Sequence, residues 1–135
     1  MNVLDQSIYS RLNTSAVTNL LAAGSASLFH IQAAENASYD YVVWNIQGGG
    51  DENLSPHRTK NLLVFIRAYS VSGAAQAGSI DAQIDTALHL VPLTVTGWSD
   101  LWLARETDIE LVETEESGRP IFTAGGIYRL LLEKN

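Results

Sequence analysis

The chain has 135 residues, 46% apolar and 17% charged, with 15 acidic against eight basic residues and no cysteine. A chain of this size and composition builds a hydrophobic core, so we expect a single domain over residues 1–135. The lack of cysteine excludes disulfide scaffolds, thiolate zinc sites and cysteine nucleophiles. The net charge of −7 excludes a general nucleic-acid binder, which needs a basic surface.

Neither targeting nor membrane insertion is expected from the pattern of residues. The start, Met1 to Asp5, carries an acid and no basic segment followed by an apolar one, unlike a secretory signal. The longest apolar run falls far short of the roughly 18 residues that span a membrane. We therefore expect a protein made in the reducing cytoplasm, with no membrane partner.

The acidic residues are concentrated in one window. Residues 100–116 contain seven acids and one base, Arg105, whereas the rest of the chain has eight acids and seven bases. Charge concentrated in this way indicates either a local electrostatic feature or simply a solvated strand face with its turn.

The first third of the chain predicts short helices followed by strands. A helix is predicted at the start because apolar residues recur every four positions, at Leu4, Ile8 and Leu12. Thr14 is a suitable N-cap for a second short helix, which Gly24 ends. Strands are predicted for residues 28–31 and for residues 39–47, which are rich in β-branched and aromatic side chains.

The segment after the second strand is rich in glycine. The three glycines at 48–50, the polar residues after them and Pro56 predict a break in regular structure and a flexible hairpin arm around 48–58. A phosphate-binding loop is excluded here, since Asp51 and Glu52 would repel phosphate and no Gly-Lys-Ser/Thr follows. An arm of this kind can order on a neighbouring molecule and extend an interface.

The middle of the chain predicts a central strand and the longest helix. Residues 62–69 form a continuous apolar run, typical of a strand covered on both faces. Ser72 is the predicted cap of a helix over 73–90, which Pro92 ends. Asp81 and Asp85 fall on the polar side of this helix, so we expect them in water and not in acid–base catalysis.

The last third predicts a hairpin with an acidic strand. Residues 101–112 alternate, which places Glu106, Asp108 and Glu110 on one strand face at about 6.6 Å spacing. A turn over 115–118 leads to a strand over 121–132, with a bulge at Gly125-Gly126. The order of elements predicts an α+β fold: a mostly antiparallel β-sheet of four to five strands, with two main helices packed on one face.

No pattern in the chain indicates catalysis or a cofactor. The three histidines, His30, His57 and His89, lie about 30 residues apart and lack the spacing of a metal pair. No Gly-x-Ser-x-Gly elbow is present. The sequence therefore predicts no catalytic, cofactor-binding or metal-binding residue.

Four segments stand out when they are taken in order. The opening helix pair ends in Ala22-Ala23-Gly24, the strand Tyr41-Val42-Val43-Trp44 follows Asp40, a strand runs from Phe65 directly into the long helix, and the closing strand contains Gly126-Ile127-Tyr128-Arg129. Together these segments resemble the tail-terminator (tail-completion, head-tail joining) family of long-tailed phages, prophages and gene-transfer agents. The Tyr41 to Trp44 strand resembles the Pro-Tyr-Val-Val-Tyr strand of that family, with Asp40 where the family usually has proline. The resemblance covers nearly the whole chain.

The resemblance implies a structural virion protein without catalytic residues. The family forms rings, typically hexamers, that bind the end of the tail tube, stop its polymerisation and offer a surface to the head connector, or stopper, protein. Double-stranded DNA passes through the lumen. The implied location is the head-tail junction of the virion, with assembly in the host cytoplasm.

Two sets of residues receive hypothetical roles in such a ring. The carboxylates of Glu106, Asp108 and Glu110 would face the channel and repel the DNA backbone. The arm would contact a neighbouring subunit or the tube through seven residues: Gly48, Gly49, Gly50, Asp51, Glu52, Asn53 and Leu54.

Three other functions stay open from the sequence alone. An acidic mimic of DNA that inhibits a DNA-binding enzyme agrees with the acidic window, although mimics usually spread their charge over most of the surface. A small enzyme would need converging polar groups, which the sequence does not show. A connector adaptor on the head side would keep the virion role and change the position.

Overall fold

The computed structural model describes residues 1–53 and 56–135, so Leu54 of the predicted arm lies outside the described residues. Within these residues the helices are α1 (Asn2–Leu12), α2 (Ser15–Thr18) and α3 (Ala74–Leu88), with a 3-10 turn over Gly24–Ser27. The strands are β1 (Leu28–His30), β2 (Tyr41–Asp51), β3 (Thr59–Ser70), β4 (Trp98–Thr114) and β5 (Pro120–Lys134). No helix in the described ranges is long and apolar enough to cross a membrane.

The strands form one mixed sheet in the order β1-β2-β3-β5-β4. Neighbouring strands are antiparallel except β1, which runs parallel to β2. β3 is the middle strand, which confirms the central position predicted from its apolar run. The α+β fold with a mostly antiparallel sheet is confirmed.

Both main helices pack on the same side of the sheet, which we call the helix face. Apolar residues spaced three or four apart on each helix reach a common core with alternate residues of β2, β3 and β5. The opposite side, which no helix covers in the described residues, is the open face. Its side chains alternate with the core residues along the strands and include Tyr41, Val43, Leu63, Phe65, Arg67, Tyr69, Ile127 and Arg129.

The predicted break at Gly48 is wrong, because β2 continues through the glycine run to Asp51. Gly48, Gly49 and Gly50 stand opposite residues 63, 62 and 61 of β3 in a continuous ladder. Glycine in a strand costs about 0.5–1 kcal/mol. Backbone pairing with β3 offsets this cost, so the composition of a segment is a poor guide where a partner strand lies alongside.

The bulges lie at Gln47 of β2 and at two positions of β4, and not at Gly125-Gly126 as predicted. β4 has one extra residue at Leu101 and one at Glu106, whereas β5 pairs with β3 without a shift. The two glycines are needed instead because neighbouring atoms lie too close to admit a side chain. A Cβ on Gly125 would lie 2.2 Å from the Ile66 carbonyl oxygen, and one on Gly126 would lie 2.6 Å from Nε of Arg105.

Two helix boundaries differ from their predictions. The N-cap of α3 is Gly73, with φ +141°, and not Ser72, whose N–H is bonded to the hydroxyl of Ser70 at 3.1 Å. The second short helix ends at Thr18 rather than at Gly24, and Gly24 begins the 3-10 turn with φ +58°.

The close approach at Gly125 makes a testable prediction about stability. Gly125→Ala should lower the free energy of unfolding by about 2–4 kcal/mol, since backbone atoms of β3 must move to admit the methyl group. Gly78→Ala in α3 is the matched control, because its Cβ meets open space and alanine should stabilise the helix by about 1 kcal/mol. Urea unfolding of both variants measures the two effects, and equal stability of the two would contradict the prediction.

Candidate functional site

The predicted acidic row does not lie on one face of β4. Glu106 occupies a bulge and accepts a hydrogen bond from Nε of Arg129 at 2.6 Å, on the open face. Asp108 and Glu110 stand opposite Gly126 and Ala124 and belong to the helix face. The extra residue in the bulge shifts the alternation by one position, which separates Glu106 from the other two carboxylates.

The carboxylates of this strand also differ in whether they are paired. Asp108 is 2.6 Å from Nε of Arg105, and Glu106 is paired with Arg129. The hydrogen bond to Glu106 holds the pKa of the Arg129 guanidinium above its usual value. Glu110, Glu113 and Glu116 have no cationic partner within 4 Å among residues 1–53 and 56–135. The uncompensated charge therefore lies at the C-terminal end of β4 and its turn.

Arg105 connects β4 to α3 and to β5. Its two terminal nitrogens donate to the two oxygens of Asp81 at 2.8 Å each, and Nη2 also donates to the Gly125 carbonyl at 2.7 Å. Its side chain is only 13% exposed, and that of Asp81 16%. The hydrogen bonds that the Arg105 guanidinium donates to Asp81 hold its pKa well above its usual value, against the effect of burial.

The expectation that Asp81 and Asp85 lie in water is wrong for Asp81. The polar side of α3 faces the Arg105 side chain of β4. The Asp81 carboxylate is therefore paired with a guanidinium and not surrounded by water. Asp85 accepts a hydrogen bond from the Tyr128 hydroxyl at 3.0 Å, and Arg105 donates weakly to the same hydroxyl at 3.4 Å. Burial raises the pKa of Tyr128, and the neighbouring Arg105 partly opposes that rise. A long-range arginine partner is invisible in the local sequence.

The predicted arm is the end of the β2–β3 hairpin. Asp51 bonds to Nε of Arg58 at 2.9 Å and to Nζ of Lys60 at 2.8 Å. Hydrogen bonds from Lys60 and Arg58 lower the pKa of the Asp51 carboxyl. Glu52 accepts a hydrogen bond from the Asn61 side chain at 2.8 Å, and Asn53 has φ +56°. These contacts define the hairpin end; they do not test its predicted role in an interface.

The three histidines lie in separate environments. His30 stacks on Trp44 and has Nε2 3.1 Å from Asp5, while His57 lies 3.7 Å from Glu133. His89 accepts a hydrogen bond at Nδ1 from the Arg105 backbone N–H at 3.0 Å. Across the described residues, no group of three or more histidine, cysteine or acidic side chains is arranged to hold a metal ion.

One outer edge of the sheet is β4, and half of it is covered. The segment that follows α3 lies along its first half, where the Leu90 N–H donates to the Leu103 carbonyl at 2.8 Å. Residues 107–114 have no backbone hydrogen bond on their outer side within the part of the chain that the structure describes. We call residues 107–114 the β4 free edge.

The other outer edge is β2, which is also half covered. β1 pairs with Val42 to Trp44, and the Ile31 N–H extends this cover by donating to the Trp44 carbonyl at 2.8 Å. Residues 45–51 pair only with β3, as far as the described chain extends. We call residues 45–51 the β2 free edge.

Large apolar side chains are exposed on β4 in a way that the sequence analysis missed. Leu111 is 54% exposed and Val112 63%, and Leu101 and Trp102 are exposed at the other end of the strand. Beyond the β1 cover on the opposite edge, Ile31 is 65% exposed. The signal in the sequence was that apolar residues within 101–112 fall at both odd-numbered and even-numbered positions. A strand with one solvated face would carry them at alternate positions only.

The Arg105 contacts predict a large effect of substitution. Arg105→Ala should lower the free energy of unfolding by about 3–5 kcal/mol, since it leaves Asp81 as a largely buried charge without a partner. Arg119→Ala is the control, because Arg119 is 51% exposed and its ion pair with Glu115 should be worth less than about 1 kcal/mol. Comparable losses in the two variants on urea unfolding would refute a structural role for Arg105.

The raised pKa of Tyr128 predicts a loss of stability at high pH. Because the pKa of Tyr128 is higher in the folded than in the unfolded chain, its contribution is complete below pH about 10 and falls as the pH rises further. Tyr128→Phe should lose less stability than the parent between pH 9 and 11.5. An unchanged alkaline loss in Tyr128→Phe would exclude Tyr128 as its source.

Comparison with known proteins finds similarity at the level of structure. No protein-family model matches the chain, and no curated protein matches it by sequence. Among solved structures, the fold is similar to that of a chain in the structure titled "Virion of native gene transfer agent (GTA) particle". The two superpose with a TM-score of 0.78 at 14% identity, over 96% of this chain and 94% of the other. This chain therefore shares its fold, over nearly its whole length, with a component of that virion.

Proposed function

We propose that this chain is a structural virion protein that forms a ring on the end of a phage-type tail tube. The ring stops polymerisation of the tube, offers the joining surface to the head connector, and lets double-stranded DNA pass through its lumen. The observation that carries the proposal is the full-length fold likeness to a chain of a gene transfer agent virion. The resemblance of the Tyr41 to Trp44 strand and the following segments to tail terminators supports the specific position.

The proposed activity is assembly and requires no catalytic residue or cofactor. The partners are further copies of the chain, most simply six, the tail tube protein and the head connector protein. The hairpin end from Gly48 to Asn53 is proposed as a contact with a neighbouring subunit or the tube. Its backbone is held in a ladder with β3, so it presents a formed surface.

The net charge suits a ring through which DNA passes. Six copies, each with a net charge of −7, carry −42 together, which disfavours adhesion of a polyanion to the ring. Glu106 is partly neutralised by Arg129 and Asp108 by Arg105, so Glu110 is the member of the predicted acidic set that contributes most to this field. Because a sheet presents only one face to a channel, Glu106 cannot share the lumen with Asp108 and Glu110 through the sheet alone.

Ion pairing argues against the DNA-mimic alternative. A mimic needs carboxylates free to replace phosphates, whereas Glu106, Asp108 and Glu115 are each paired with an arginine of the same chain. The hydrogen bonds from Arg119 lower the pKa of the Glu115 carboxyl. The head-side adaptor differs from the terminator only in which end of the junction the ring binds.

An add-back assay tests the proposal directly. Purified protein is added to extracts that assemble tail tubes of uncontrolled length, and tube lengths and ends are measured by electron microscopy. We expect sharply limited lengths and a ring at one tube end, with native mass giving a sixfold oligomer. Heat-unfolded protein is the control. Unlimited tubes together with binding to isolated head connectors would instead indicate the head-side adaptor.

A further inference from the structure

We infer that the ring is held together by strand pairing between copies, the β4 free edge of one copy pairing antiparallel with the β2 free edge of the next. The inference rests on the proposed ring and specifies its subunit interface. Both edges carry unpaired backbone N–H and C=O groups, along eight residues of β4 and seven of β2. Such groups template the addition of another strand.

The directions of the two edge strands fit this pairing. β2 and β3 are antiparallel, β3 and β5 are antiparallel, and β5 and β4 are antiparallel, so β4 runs opposite to β2. Two copies placed side by side with their helix faces on the same side therefore bring β4 and β2 together in the antiparallel sense. The sheet continues from copy to copy without a change of face.

Gly48 and Gly50 of the β2 free edge are glycines at positions where their own chain has room for a side chain. Neither has a positive φ, and a Cβ built on either meets nothing within 4 Å. Gly48 follows the bulge at Gln47, and Gly49 has φ +94° and a Cβ position 2.1 Å from the Asn61 carbonyl oxygen. Gly50 is therefore the one glycine of the run that neither a bulge nor a close contact within the described chain explains, and close approach of another backbone is a known use of such a glycine.

The same pairing also brings exposed apolar side chains of the two copies close together. Antiparallel pairing brings the end of the β4 free edge near Asn45, where the β1 cover stops. Leu111 and Val112 then lie near Ile31 of the neighbouring copy, and all three are more than half exposed in the single chain. Burial of this apolar surface favours association.

Charge disfavours the alternative in which two β4 edges pair with each other. Asp108, Glu110 and Glu113 would then be duplicated across the junction, giving six carboxylates on adjacent strands. The β2 free edge carries a single charge, Asp51, which is already paired with Arg58 and Lys60. The favoured contact therefore joins two different surfaces, and contacts of that type form rings when the rotation between copies closes.

The covered halves of the edges set the offset between copies. The middle of the β2 free edge, Gly48, is level with Leu63 of β3, whereas Leu111 of β4 is level with Tyr69 through Thr123. Matching the two free edges therefore displaces each copy along the strand direction by about six residues, or ~20 Å, relative to its neighbour. Across the sheet, the four strands β2, β3, β5 and β4 of one copy span ~19 Å. This corresponds to a strand tilt of about 45°, at the upper end of the tilt of about 35–45° that closed barrels adopt.

Cysteine cross-linking tests the pairing, since the chain has no cysteine of its own. Gly48→Cys and Leu111→Cys place thiols on the open face of the two edges. Mixed single variants, treated with a bismaleimide about 8 Å long, should give covalent dimers, whereas each variant alone should give none. The double variant should give a ladder that ends at the ring. Leu111→Cys mixed with Ser79→Cys on α3 is the control.

A second variant keeps the test independent of the cross-linker. Leu111→Lys changes a side chain that is 54% exposed, so the urea midpoint should change little, but a charge in the apolar contact with Ile31 of the neighbouring copy should lower the fraction of ring at least tenfold in native mass. Sixfold rings without the 48–111 cross-link would overturn the inference and leave the proposed function standing. Cross-linked open filaments would support the pairing and contradict the closed ring. A monomer at millimolar concentration with no cross-link would contradict both.

Discussion

The packing of α3 against the second half of the sheet depends on the guanidinium of Arg105. This group joins Asp81 on α3, Asp108 on its own strand and the Gly125 carbonyl on β5. A largely buried cation is tolerable only because each of its nitrogens has an acceptor. Room for it exists because Gly126 has no side chain, and the bulge at Glu106 lies directly beside it on β4. The Arg105 guanidinium is therefore satisfied from three elements, and it ties the acidic strand to α3 and β5.

That dependence explains which parts of the structure could be predicted from the sequence. The apolar spacing of Leu4, Ile8 and Leu12 and the uninterrupted apolar run of β3 are local signals, and the elements they predict are confirmed. The faces of β4 could not be predicted, because alternation assumes a regular strand and one extra residue at Glu106 inverts it. The environment of Asp81 could not be predicted either, since its partner lies 24 residues further along the chain.

The glycine run at 48–50 shows the same limit of local prediction, here for a segment that is predicted as a break and is a strand. Glycine is depleted in strands, so three in succession predict a loop when only local preference is considered. In the structure the ladder with β3 determines the conformation, and only Gly49 has the positive φ for which glycine is needed. The two glycines beside it, Gly48 and Gly50, have no positive φ, and Gly48 follows the bulge at Gln47.

The partial covers on the two sheet edges also matter before any assembly takes place. An uninterrupted edge of 17 residues, such as β4 would offer by itself, is a template for disordered aggregation. The segment after α3 covers part of β4, and β1 covers part of β2. A newly made chain therefore exposes only two short stretches of edge backbone, which lie at opposite ends of the sheet. If two copies meet without an offset along the strands, the free edge of one copy lies opposite the covered part of the other, and the two free edges do not pair. The same two covers thus shorten the edge that could template aggregation and, in the proposed ring, determine which stretches of edge are free to pair.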